Sequence, residues 1–326
     1  MPSASMADVT HTVDVRDLLD PEVAAALVAL ADLQGDLFGS LSDETLPGVR
    51  DLMGSYPVPE LSAEVARTDH EVPGSGGVVV RVHRPVDATD MLPCAYWMHG
   101  GGLVLGSYVL DDLRFDRWCP RLGCAGVSVE YRLAPETPYP GPLDDCYAGL
   151  AWVHEHAEDL GIDPARIGVG GNSAGGGLAA GLALLARDRG DVPLAFQALI
   201  YPMIDDRQGT PSSAWPDPVW PPNANRYGWS AYLGEARGGP GVPVYAAAAR
   251  ATELAGLPPT FISVGALDGF SDEDIDYAVR LRHAGVPVEL HVYPGAPHGF
   301  DSLAPGTKLA RRANRHLLEW LTNQLH

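Results

Sequence analysis

From about residue 77 onward the chain alternates two hydrophobic periods. Short apolar runs, several bounded by Gly or Pro, lie at Val78–His83, Cys94–Met98, Gly126–Tyr131, Ile167–Val169, Phe196–Tyr201, Thr260–Val264 and Val288–Tyr293. Continuous apolar runs of this kind suit parallel strands buried on both faces. Helix-length stretches separate them at Asp111–Leu122, Leu143–His156, Ala174–Arg189, Asp272–Ala284 and Lys308–Leu325. The alternation predicts an α/β fold with a mostly parallel sheet. Two segments stand outside it. Residues 1–55 read as helices without a partner strand, Pro21–Asp36 being the clearest, and 203–250 is an insertion between two strands. The insertion carries Trp215, Trp220, Tyr227, Trp229 and Tyr232. So many large rings in one excursion need something to cover, which predicts a lid over a site. The expected organisation is a core in two parts, 56–202 and 251–326, with 1–55 and 203–250 forming a cap.

Composition narrows the partners. At 326 residues and 46% hydrophobic, the chain can bury a large core. Acidic residues number 42 against 22 basic ones, for a formal net charge of −20, and Lys308 is the only lysine. A phosphate backbone or an anionic lipid surface repels such a chain, so neither nucleic acid nor membrane is expected as a partner. Cys94, Cys119, Cys124 and Cys146 form no C-x-x-C pair, which leaves zinc-ribbon and thioredoxin readings without support. Met1–Asp20 carries Asp8, Asp14 and Asp17 and no apolar signal-peptide core, and Val23–Leu30 is too short to span a bilayer. The expectation is a cytoplasmic protein with reduced, buried cysteines.

The chemistry centres on Ile167–Gly181, IGVGGNSAGGGLAAG. An apolar strand runs into Gly171-Asn172-Ser173-Ala174-Gly175 and then into an Ala/Leu-rich helix. This is G-x-S-x-G in strand–turn–helix context, a pattern that lifts a serine hydroxyl above a sheet. Glycines flank the serine because strand and helix approach too closely there for side chains. A dinucleotide fingerprint beginning at Gly168 fails because Ser173 stands where its last glycine belongs, and a phosphate loop fails for want of a lysine. Upstream, His99-Gly100-Gly101-Gly102 follows a strand. Successive glycines let backbone N–H groups turn toward a ligand. Gly101, Gly102 and Ala174 are the expected oxyanion donors, with His99 as a hydrogen-bonding brace.

A serine nucleophile of this type needs an acid and then a histidine, in that chain order, each just past a strand. Thr260–Leu267 ends at Asp268, and Val288–Tyr293 is followed by Pro294-Gly295-Ala296-Pro297-His298-Gly299-Phe300. Asp268 and His298 are therefore the expected partners of Ser173, with Asp272 as the reserve acid. His291 in a strand, His283 in a helix, and His154 and His156, two apart on a helix and so facing differently, read as structural or surface residues. No metal site is expected.

These motifs, together with Tyr131-Arg132-Leu133-Ala134-Pro135-Glu136, resemble the hormone-sensitive-lipase family of bacterial esterases from about residue 70 to the end. The branch containing bacterial heroin esterase is especially similar around Tyr131–Tyr147 and Tyr245–Pro259. The resemblance implies an eight-stranded α/β-hydrolase sheet, a helical cap, no cofactor, small esters with short acyl groups as substrates, and a homodimer. It also implies structural roles for Tyr131–Glu136 and Asp145. Two positions depart from the family pattern: Asn172 replaces the usual Asp before the serine, and Gly269-Phe270 replaces Pro-Leu after the acid. The residues predict a carboxylic-ester hydrolase working through an acyl-enzyme. An amide hydrolase would use the same triad. A small-molecule receptor on the same fold is the third reading, and the complete triad argues against it. Substrate lining is expected from Trp215, Trp220, Tyr227 and Trp229.

Overall fold

The structure, a computed structural model, describes residues 15–34, 37–56 and 60–326. Asp36, the predicted end of the first helix, and residues 1–14 lie outside the described residues.

Eight strands form one sheet in the order β1-β2-β4-β3-β5-β6-β7-β8. They are β1 (Val65–Glu71), β2 (Val79–Pro85), β3 (Leu92–Met98), β4 (Ala125–Glu130), β5 (Ile162–Asn172), β6 (Gln197–Ile200), β7 (Thr260–Gly265) and β8 (Val288–Tyr293). Strand β2 pairs antiparallel with both β1 and β4, and all other pairs are parallel. All seven apolar runs became strands. The one strand without a signal, β1, has the sequence Val-Ala-Arg-Thr-Asp-His-Glu, and only Val65 in it is buried. As an edge strand it has little apolar face to show, and charge there discourages further pairing.

The helices are α1 (Pro21–Gln34), α2 (Leu46–Gly54), α3 (Asp112–Leu122), α4 (Gly141–Glu155), α5 (Ala174–Arg189), α6 (Pro222–Leu233), α7 (Ser271–His283), α8 (Phe300–Leu303) and α9 (Lys308–Leu325). Alternation along each strand divides the core. Tyr96, Met98, Val127, Val129, Ile167 and Val169 pack with α4, α5 and α7 on one face. Ala95, Trp97, Ala198, Ile200 and Phe261 pack with Phe115 and Trp118 of α3 and Leu317, Trp320 and Leu321 of α9 on the other. Helix α5 is buried nearly all round, as an Ala/Leu/Gly helix at the centre of an α/β fold must be. All four cysteines are free and buried. Among the described residues, no helix is long and apolar enough to cross a membrane.

The segments outside the alternation lie against each other. Helix α6 and the loops around it belong to the insertion, and α2 to the N-terminal segment. Tyr227 on α6 donates its hydroxyl to Asp43 Oδ1 at 2.9 Å, and the Phe38 and Trp220 rings meet at 5.6 Å between centroids.

Candidate active site

Ser173 sits between the end of β5 and the start of α5 with φ 58° and ψ −123°, a conformation that costs a non-glycine residue about 1–3 kcal/mol. Three hydrogen bonds hold it there. Its N–H donates to the Ile200 carbonyl at 2.9 Å, and its carbonyl accepts from Gly177 N at 3.0 Å and Met203 N at 2.9 Å. The flanking glycines are required by close approach. A Cβ on Gly175 would collide with the Met98 and His99 carbonyl oxygens, and one on Gly171 with the Gly175 backbone.

The other two residues come from the carboxyl ends of later strands, where ligands of open α/β sheets bind. Asp268 follows β7 and His298 follows β8. His298 Nε2 lies 2.9 Å from Ser173 Oγ, and His298 Nδ1 lies 2.8 Å from Asp268 Oδ2. All three side chains are buried. Asp268 Oδ1 accepts from Phe270 N at 2.9 Å, so each oxygen of the carboxylate has a partner. Phe270 and Tyr201 stand edge-on to the imidazole, each with its ring centroid 4.9 Å away. With Nδ1–H committed to Asp268, Nε2 is left to accept the serine proton. Burial is the largest influence on His298 and opposes its charge. The Asp268 carboxylate, with Asp217 and Asp301 behind it, outweighs burial and holds the pKa above the usual 6.5.

The glycine loop follows β3. Gly101 and Gly102 have φ 121° and 62°, and among the described residues neither N–H has a protein acceptor. Ala174 opens α5, so its N–H is one of those a helix leaves without an intrahelical partner. The loop is braced from beneath. His99 Nδ1 donates to Gly100 O at 2.8 Å, its ring stacks on Tyr131 at 4.2 Å, and Tyr131 Oη donates to His99 O at 2.8 Å. Burial pushes the His99 pKa down to about 4, so the ring stays neutral in this bracing position. Tyr131 begins Tyr131–Glu136, and Asp145 secures Arg132 through contacts of 2.6–2.9 Å to its backbone N–H and guanidinium.

Other predicted residues lie elsewhere. Asp272 Oδ2 accepts from Ser212 N at 2.8 Å, pinning the insertion to the first turn of α7 rather than reaching the histidine. His283 is exposed, His291 bonds Glu289 Oε1 at 2.7 Å, and His156 bonds the Trp152 carbonyl at 2.9 Å. Among the described residues, no group of three or more His, Cys, Asp or Glu side chains is placed to hold a metal ion.

A cavity of about 300 Å³ opens onto Ser173 and His298. Here the sequence expectation needs correcting, because of the four aromatics only Trp220 lines it. Trp229 packs into the core, Tyr227 is turned to Asp43, and Trp215 lines a small crevice behind Trp220. Of the α6 rings only Trp229 and Tyr232 turn into the core, while Tyr227 lies on the side that meets the N-terminal segment. Phe38, Met53, Leu105, Leu110 and Val219 supply the apolar wall instead.

Two residues had no sequence signal. Asp217, in the insertion, is buried and accepts His298 N at 2.8 Å on one oxygen and Val219 N and Trp220 N at 2.7 and 3.0 Å on the other. Burial, then the nearby Asp268 charge, pushes its pKa up to about 6. Arg50 on α2 donates to the Val104 and Ala134 carbonyls, both at 2.9 Å, and pairs with Glu136. Each reaches a partner far away in sequence, His298 for Asp217, and Val104, Ala134 and Glu136 for Arg50, which no local pattern announces.

A family model described as alpha/beta hydrolase fold matches residues 95–302. The chain is 34% identical over 327 residues to Esterase LipI of Mycobacterium tuberculosis, covering 98% of this chain and all of that one. It is 38% identical over 275 residues to Carboxylesterase NlhH of the same organism, covering 82% of this chain and 85% of that one. A solved structure entitled Bacterial Heroin Esterase superposes with a TM-score of 0.89 at 42% identity, covering 95% of this chain and 99% of that one. Fold, site order and these likenesses agree: the chain belongs to the α/β-hydrolase family, in its hormone-sensitive-lipase-like group of esterases.

Proposed function

We propose that this protein is a serine carboxylesterase that cleaves small esters with short acyl groups through an acyl-enzyme on Ser173. The observation that carries this is the unbroken chain from Ser173 Oγ through His298 to Asp268, at 2.9 and 2.8 Å. In the first step His298 Nε2 takes the hydroxyl proton as Oγ attacks the ester carbonyl. The developing oxyanion is held by the N–H groups of Gly101, Gly102 and Ala174. His298 then returns the proton to the leaving alcohol, and water releases the acid by the same route. Asp268 keeps the imidazole in its working tautomer and favours the imidazolium that forms. The small cavity, walled by Phe38, Met53 and Trp220, supports the short-acyl reading. Residues 1–55 and 203–250 would form the cap over it, joined by the Tyr227–Asp43 bond. The buried thiols suit a cytoplasmic location, and the family resemblance suggests a homodimer.

Turnover of 4-nitrophenyl esters from acetate to palmitate tests the reading. We expect a maximum at butyrate or shorter and a loss of at least about 10⁴-fold in Ser173→Ala. A maximum at long chains would remove the short-acyl assignment, and near-native turnover by the alanine variant would remove the nucleophile. A butyranilide measured in parallel separates ester from amide cleavage.

A further inference from the structure

Beside the catalytic cavity lies a second, larger groove of about 610 Å³ between α3 and α9. The two share Leu110, Arg114 and Ser302, so they adjoin at the start of α3. Five arginines line the groove: Arg114, Arg117 and Arg121 of α3, and Arg311 and Arg315 of α9. This is a chain of net charge −20 with 22 basic residues in all, so nearly a quarter of its positive charge is gathered here. One acidic side chain, Asp301, lines the groove, and its Oδ1 is taken by the Tyr201 hydroxyl at 2.7 Å.

Few of these arginines are spent on ion pairs. Among the described residues Arg117 and Arg121 have no carboxylate partner, and Arg315 reaches Glu319 only at 3.7 Å. Arg311 bonds the Gly306 carbonyl and lies near the Glu22 carboxylate without a direct ion pair. Arg114 marks the junction. Its guanidinium packs 4.7 Å from the Trp97 ring centroid and 5.1 Å from that of Trp118, contacts Asp111 at 3.2 Å and leans toward Asn172 beside the serine. Its side chain is 18% exposed, so it is fixed where the apolar cavity gives way to the basic groove.

Like charges gathered on one face raise the local potential and draw anions, and Arg117 and Arg121, both exposed and without a carboxylate partner among the described residues, are free to receive one. The guanidinium fork suits carboxylate geometry. Building on the esterase reading, we propose that the groove binds an anionic group of the substrate, so that the enzyme acts on esters that also carry a carboxylate. The neutral ester end enters the cavity at Ser173, and the charged end lies among Arg114, Arg117 and Arg121.

Three substrates test this: neutral 4-nitrophenyl butyrate, mono-4-nitrophenyl glutarate with its carboxylate on the acyl side, and 3-butyryloxybenzoate with its carboxylate on the alcohol side. We expect the double variant Arg117→Glu/Arg121→Glu to lower the anionic-to-neutral ratio of kcat/KM roughly tenfold for one anionic ester, the scale of one or two exposed ion pairs. The ester that responds tells which side of the scissile bond faces the groove. Raised salt should lower the same ratio in the wild type. Arg282→Glu, an exposed reversal on α7 outside the groove, should leave it unchanged. Because each ratio is taken within one preparation, partial misfolding cancels. A ratio unmoved by the double variant for both anionic esters overturns the proposal. A wild type that cleaves none of the three overturns the esterase reading instead. Calorimetric titration with glutarate then decides the groove alone: binding weakened by the double variant supports it, and no binding to the wild type refutes it.

Discussion

The two sides of the site are held by different physics. On the Ser173 side, backbone packs on backbone. Gly171 and Gly175 let β5 and α5 close on Met98 and His99, and Ser173 is fixed by three main-chain hydrogen bonds. On the histidine side, side chains do the holding. Asp268 and Asp217 grip His298 from two directions, across 30 and 81 residues of sequence. The first arrangement tolerates no added atom. The second tolerates changes of shape but not of charge or hydrogen-bonding sense.

That contrast can be broken from either side. The largest effect should come from Asp268→Asn, which keeps the shape and presents a donor or a neutral oxygen to His298 Nδ1. A loss of about 10⁴-fold in kcat with an unchanged melting temperature is expected, and a loss under tenfold would mean the acid lies elsewhere. Next is Gly175→Ala. One methyl against two carbonyl oxygens should displace the elbow and cost roughly 10²–10³-fold in kcat/KM together with a lower Tm. If thermal unfolding is unaffected, the close packing of β5 and α5 is not what fixes the serine.

Asp217→Asn should act more gently, by about tenfold, because an amide can satisfy only one of the two sets of N–H groups its carboxylate now serves. The sign of its pH effect follows from the charge. His298 must be neutral to act as base, and its pKa lies above 6.5, so kcat/KM should rise with pH through a midpoint above that value. Asp217 is one of the charges favouring the imidazolium, so its removal should move the midpoint down. An upward move would contradict the arrangement. The smallest effect belongs to the cavity wall. Trp220→Ala should change butyrate turnover only a few-fold while shifting the preferred acyl chain longer, as read from the same ester series, because it opens the wall at Gly102.

Much of the fold was legible because burial writes a period into the sequence. The seven apolar runs and the helices between them required no knowledge of contacts, and α5 and α9 begin and end where the pattern does. Strand β1 escaped because an edge strand has almost no buried face, and the bounds of α6 because its Pro- and aromatic-rich segment shows no helical period. The proposed triad was legible for another reason: its order and its positions after strands are consequences of the chain path.

What the sequence by itself determined is therefore the sheet, the glycine-lined turn around Ser173 and the order in which its partners follow. These rest on local sterics and hydrophobic period, both written within short windows. Only the tertiary structure decided which aromatics face the cavity, that Asp217 reaches back to His298, and that arginines from α3 and α9 gather beside Ser173's pocket. Those outcomes depend on helix rotation and on meetings between residues tens to hundreds of positions apart, where sequence separation carries no distance information.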